Sequence, residues 1–186
     1  MESIFKERRI SQMDLQKVYF WTNTIKDWKH LLKPDKYKEL IIETLEKLAQ
    51  RGLIEVYAFV IMPNHLHIVW KLNKLNGKEK PHASFNKETA HCIVKDLKIN
   101  HPAVLDFFNE QTKERSYRIW QRDPMAIEMD NTRKVEQKIE YIHNNPLNER
   151  WNLAKRPEEY YWSSAAFYES GNSSFSFLTH YREYFG

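Results

Sequence analysis

The chain of 186 residues has a single cysteine, Cys92, so no internal disulfide can form. That fits a reducing compartment, where a lone cysteine in a helical pattern beside Ile93 serves as a small buried hydrophobe. Glycine is scarce, at four residues, which excludes collagen-like and glycine-rich architectures. No apolar run approaches the roughly 20 residues of a membrane span. The segment Met1–Ile10 is charged rather than apolar, unlike a secretory leader. These absences lead to the expectation of a cytoplasmic protein with no membrane partner.

What is present is the composition of a globular protein, 41% hydrophobic and 29% charged. The length suits one domain, taken as residues 1–186, with 151–186 as an aromatic C-terminal extension. No linker, internal repeat or low-complexity tract divides it. A formal net charge of +4 permits a polyanionic partner without demanding one.

Val18–Thr24 is rich in β-branched and aromatic residues and predicts a strand. Asp35–Arg51 predicts a helix, with Leu40, Ile41, Leu45 and Leu48 at helical spacing and Gly52 as its stop. Leu53–Met62 and His65–Leu72 predict two strands, and the Pro63-Asn64 turn between them predicts an antiparallel hairpin. Lys74–Phe85 reads as a loop, Asn86–Ile99 as a helix and Arg115–Gln121 as a strand. Asp130–Asn145 predicts a last helix, capped by Asp130 and stopped by Pro146. The order strand, helix, strand, strand, helix, strand, helix is close to the split βαβ pattern. The expected fold class is α+β: a ferredoxin-like antiparallel sheet with helices on one face and the other face free to carry a site.

His65 and His67 are two apart on a predicted strand, so both imidazoles project from one face and can supply two ligands to one metal ion. By itself such a pair is equally an ordinary solvated strand face; it needs a partner elsewhere. On the last helix, Lys134, Lys138, Tyr141 and Asn145 follow spacings of four, three and four and form one stripe. Val135, Ile139 and Ile142 form a separate apolar stripe that suits packing on the sheet. A tyrosine phenol, with an ordinary pKa of about 10, is a poor nucleophile until a cation stabilises the phenolate.

The combination is more specific than its parts. The run Met62-Pro63-Asn64-His65-Leu66-His67-Ile68-Val69-Trp70 resembles the His-hydrophobic-His signature of the HUH superfamily of DNA nucleases. Tyr141-Ile142-His143-Asn144-Asn145-Pro146 resembles the nucleophile helix of its single-tyrosine transposases. Trp120-Gln121-Arg122 and Tyr161-Trp162-Ser163-Ser164-Ala165 resemble motifs of the branch associated with repetitive extragenic palindromes (REP). The resemblance extends from Val18 to Tyr168. One departure is the run Leu147-Asn148-Glu149-Arg150-Trp151, which lacks the glycine that many relatives carry after the Asn-Pro pair.

The resemblance implies cleavage and rejoining of single-stranded DNA, on hairpin-forming sequences, through a 5′-phosphotyrosine on Tyr141. It implies a divalent metal, Mg²⁺ or Mn²⁺, held by His65 and His67. Asn145 is the expected third ligand, because it shares the Tyr141 stripe and offers a hard amide oxygen. Lys138, one turn back, is expected to stabilise phenolate or phosphate. Expected DNA contacts are Lys134 and, from the arginine-rich segment, Arg115, Arg118, Trp120 and Arg122; cations interleaved with an aromatic suit backbone contact plus stacking. The competing arrangement for that segment is a core tryptophan flanked by solvated arginines. Relatives act as monomers or as homodimers. Rival functions are a catalytically silent DNA-binding protein, a metal-dependent hydrolase using water, and an interaction module with no metal.

Overall fold

The sequence Val-Tyr-Phe-Trp-Thr-Asn-Thr alternates large residues that end up on opposite faces of the first strand, β1 (Val18–Thr24). It is followed by α1 (Asp35–Gln50), the hairpin β2 (Ile54–Met62) and β3 (His65–Leu72), α2 (Pro81–Asn100), the short α3 (Pro102–Leu105), β4 (Met125–Glu128) and α4 (Thr132–Asn144). Two short helices, α5 (Ala165–Ser170) and α6 (Arg182–Phe185), lie in the C-terminal segment. The computed structural model describes residues 13–110, 116–171 and 173–186. The four strands form one sheet in the order β2-β3-β1-β4, with every pair antiparallel. That is the expected ferredoxin-like arrangement.

Each face of the sheet has its own core. On the first, Tyr19, Trp21, Phe59, Ile61, Ile68 and Trp70 meet α1 through Ile41 and Leu45 and α2 through Phe85 and Ile93. Trp21 and Trp70 stack at 4.9 Å at its centre. On the second, Phe20, Val60, Met62 and Val69 meet Val135, Ile139 and Ile142 of α4. So α1 and α2 share one face as expected, and the third long helix takes the other. Each fully buried aliphatic side chain in that seam is worth about 1.5–3 kcal/mol. The last segment borders both cores: Phe175 and Phe177 join the first, and Tyr181 joins the second. Among the described residues no helix is long and apolar enough to cross a membrane.

Three expectations need correction. The fourth strand is Met125–Glu128, not Arg115–Gln121. Ala126 and Ile127 bury one on each side of the sheet, the two-faced burial a strand there requires. The described part of the arginine-rich segment makes only single bridges, Tyr117 to Asn109 and Trp120 to Ile25. Second, α2 starts at Pro81 inside the expected loop, because a proline at the first helical position lacks only an N–H that has no helical partner there. Third, the cap of α4 is Asn131, whose side chain accepts from Lys134 N at 3.0 Å. Asp130 instead pairs with Lys134 Nζ at 2.8 Å.

If docking on the sheet rather than helix propensity holds α4, the seam should dominate its energetics. Ile139→Ala should cost about 2–5 kcal/mol. Asn131→Ala should cost about 1 kcal/mol. Denaturant midpoints at constant m value measure both, and equal costs would contradict the ranking.

Candidate metal and tyrosine site

Antiparallel pairing of β1 with β3 sets Thr22 opposite His67 and Thr24 opposite His65. Both imidazoles therefore project from the second face, the one that α4 covers, with ring centroids 4.6 Å apart. Each is held at Nδ1. Thr22 Oγ1 lies 2.8 Å from His67 Nδ1, and Asn64 Oδ1 lies 2.6 Å from His65 Nδ1. Asn64 Nδ2 donates to the Trp28 carbonyl at 3.1 Å, which orients its amide so that the oxygen faces His65. His65 must then donate from Nδ1, leaving a lone pair on Nε2. Such oxygen partners on the far nitrogen are how metal-ligating histidines are oriented. His67 Nε2 is buried, and among the described residues no hydrogen-bond partner reaches it. Leaving a buried polar atom unpaired costs about 1–3 kcal/mol, which a bound cation would offset. The pair thus fits a divalent ion.

Burial also sets the protonation state. His65 is pushed down to about 4, mainly by burial and then by the charge of Arg150. His67 is lowered well below the usual range by burial, then by His65 and Lys138. Both are neutral at neutral pH, the form that can coordinate a metal.

Tyr141 is 49% exposed, and its ring lies 5.3 Å from that of His67 and 6.1 Å from that of Phe20. Burial raises its phenol pKa, while a hydrogen bond with Asn145 acts the other way. Asn145 is buried and remains helical, φ −57° and ψ −44°, despite the proline after it. Lys138 Nζ sits 5.1 Å from the centre of the Phe20 ring. Lys138 and Tyr141 therefore stand beside His67, and Asn145 is tied to Tyr141. Lys134 stands at the start of the helix with its charge on Asp130. Among the described residues no group of three His, Cys, Asp or Glu forms.

The arginine-rich segment is arranged differently from expectation. Trp120 is buried at 5% exposure, and its Nε1 donates to Thr89 Oγ1 of α2 at 2.9 Å. It is a core residue, with no face open for base stacking. Arg118 is largely buried in an ion pair with Glu110, so its charge is already matched. Arg122 remains 65% exposed, at 3.9 Å from the same carboxylate. Arg115 lies outside the described residues.

Several neighbours went unrecognised in the sequence. Asn64 reads there only as turn chemistry. Thr22 becomes visible only through strand register. Arg150 and Trp151 follow α4, and the Trp151 ring lies 5.9 Å from that of His65. Trp28, whose ring is 6.2 Å from His65, belongs to a turn in which Asp27 and Trp28 both have positive φ, 55° and 56°. Such a conformation costs a non-glycine residue about 1–3 kcal/mol and tends to occur at functional sites. His143, two residues after Tyr141, points elsewhere: its Nε2 is 2.8 Å from Ser164 Oγ, which also accepts from Phe59 N at 3.0 Å. The adjacent serines were the available signal for that tie.

No protein-family model and no curated protein matches the chain. Among solved structures it is similar to a REP-associated tyrosine transposase bound to a REP hairpin. The identity is 17% and the TM-score 0.59, over 96% of this chain and 92% of that one. At that identity the likeness establishes a shared fold.

The buried imidazoles make stability depend on acid. His65, His82 and His143 are each lowered to about 4, chiefly by burial. In the unfolded chain they titrate near the ordinary value of about 6.5. Between those values the unfolded state binds more protons, so stability falls as pH drops from about 6.5 to about 4 and changes little above that window. Each histidine contributes at most about 1.4 kcal/mol per pH unit. The urea midpoint should decline from pH 7 to pH 5, and His82→Gln should flatten the slope. A midpoint independent of pH over that range would mean that these imidazoles are not held neutral.

Proposed function

We propose that the protein cleaves and rejoins single-stranded or hairpin-forming DNA through a covalent tyrosine link, as a tyrosine transposase or strand-transferase of the HUH superfamily. The observation that carries this reading is the convergence of His65, His67 and Tyr141, with ring separations of 4.6 and 5.3 Å, from a strand and a helix far apart in sequence. The shared fold with a transposase bound to a DNA hairpin supports the substrate class.

His65 and His67, with Asn145 as the proposed third donor, would hold Mg²⁺ or Mn²⁺. When bound, the ion supplies Lewis-acid polarisation of the scissile phosphate and charge that favours the phenolate. The remaining work falls to the chain itself. Tyr141 attacks phosphorus through its Oη, the bond from phosphorus to the 3′ oxygen breaks, and the proton lost by the phenol balances the one gained by the departing 3′-hydroxyl. The 5′ end stays esterified to Tyr141, so the bond energy is kept for rejoining. The hydrogen bond with Asn145 favours the phenolate against the opposing effect of burial. Lys138, and Arg150 beside His65, offer positive charge for the phosphate or its neighbours.

A denaturing gel with labelled DNA hairpins from palindromes flanking the gene tests this reading. Wild type should form a protein–DNA adduct with Mn²⁺, more readily on hairpin or single strand than on linear duplex. Tyr141→Phe should abolish both cleavage and adduct while keeping the fold, and Tyr161→Phe should retain both. Cleavage by Tyr141→Phe without a link would favour the water-using hydrolase; a persistent link would move the nucleophile to another tyrosine.

The metal assignment has its own measurement. Calorimetry with Mn²⁺ should detect binding that is lost in His65→Ala and His67→Ala, and weakened about 10- to 100-fold in Thr22→Val, which leaves His67 without its orienting oxygen. Equal binding by wild type and all three variants would remove the histidine pair as the site.

A further inference from the structure

The side chains of the connection from β1 to α1 and the cavity behind it have no role in the chemistry above. Its backbone is tied to the turn that carries His65: Ile25 N donates to Asn64 O and Leu32 N to Pro63 O, both at 2.9 Å. The Trp28 carbonyl accepts from Asn64. The Trp28 indole is nonetheless 53% exposed. The loop is fixed to the histidine pair while presenting its largest apolar group to solvent at a backbone cost. A fixed, exposed aromatic suits a ligand with a flat π face.

Behind the loop lies a cavity of about 390 Å³, bordered by Lys29, His30, Tyr37, His101, Phe107 and Phe108. That volume falls within the range of small-molecule sites, about 300–1,000 Å³. Phe107 is 60% exposed at its rim, with Lys29 Nζ 4.4 Å from its ring centre. Among the described residues no carboxylate lines the cavity. Lys36, which also borders it, is paired with Asp96 at 2.6 Å, whereas Lys29 meets the Phe107 ring. His30 connects cavity and site, since its ring lies 5.5 Å from that of Trp151, which borders His65.

We propose that Trp28 and the Lys29–Phe107 cavity form a subsite for unpaired bases of the DNA strand that flanks the scissile phosphate. Trp28 stacks on the base next to the histidine pair. Phe107 stacks on a base further along, and Lys29 meets the intervening phosphate. Alternating aromatic rings and cations along one track match the repeating chemistry of a single strand, a base and a phosphate per step. A duplex, whose bases are already stacked, offers nothing to these rings. The inference rests on the DNA-cleaving function proposed above and adds where the unpaired strand runs.

The test measures binding, so that it is read separately from cleavage. The full chain carrying Tyr141→Phe is titrated, at fixed salt with Mg²⁺, with a DNA hairpin bearing oligo-dT flanks. Abasic sites are then introduced at successive flank positions. Trp28→Ala should weaken binding about 5- to 150-fold, the range for one stacked base. Trp28→Tyr should recover most of that loss, and a blunt hairpin should bind both variants alike. One abasic position should weaken the protein with Trp28 intact but add nothing in Trp28→Ala, and a second should show the same dependence on Phe107. Both side chains are exposed, so unchanged thermal unfolding of the alanine variants should accompany these losses. Abasic penalties that persist undiminished in both variants would overturn the subsite, even if wild type forms the covalent adduct. No binding to any flanked hairpin would overturn it together with the proposed function.

Discussion

The apolar seam between α4 and the second face of the sheet is the contact on which the site depends. Val135, Ile139 and Ile142 lie against Phe20, Val60, Met62 and Val69. Those strand residues flank the histidines on the same face, so burying one side of α4 brings Tyr141 to the edge of the His67 ring. Desolvation that stabilises the fold is also what strips water from the imidazoles. The two effects share one cause.

Burial makes the histidines neutral, and polar anchors make them directional. Thr22 and Asn64 hold the two Nδ1 atoms, and the Trp28 carbonyl in turn fixes the Asn64 amide. The chain of contacts thus runs from the β1–α1 loop through the hairpin turn to the His65 imidazole. The positive backbone angles at Asp27 and Trp28 are tolerated because hydrogen bonds to Asn64 and Pro63 hold the segment from both sides.

The C-terminal segment works as a brace. Ser164 bonds the backbone of Phe59 in β2 and the ring of His143 in α4. Tyr160 and Tyr168 donate to the carbonyls of Ile61 and Tyr57, also in β2. These ties explain why aromatic residues crowd after Trp151: their rings pack against the two cores while their hydroxyls satisfy carbonyls along β2.

The sequence by itself determined the strands Val18–Thr24 and His65–Leu72, the α4 seam, and the pairing of two histidines on one face. All follow from side-chain periods of two and 3.6, which are local geometry. It also placed Lys138, Tyr141 and Asn145 on a single stripe. Period alone did not reveal what lies across a sheet or behind a loop. Arg115–Gln121 has the look of a strand, yet the described part bridges and packs, because Trp120 finds a partner in Thr89 and Arg118 in Glu110, both outside that segment. Met125–Glu128 is too short to announce itself, and it is a strand because β1 has an open edge to pair with. Only tertiary structure decided that Thr22 faces His67, that His143 turns to Ser164, and that Trp28 stands exposed beside His65. Register, helix docking and loop path are set by many weak contacts between distant residues, and no local pattern in the chain encodes them.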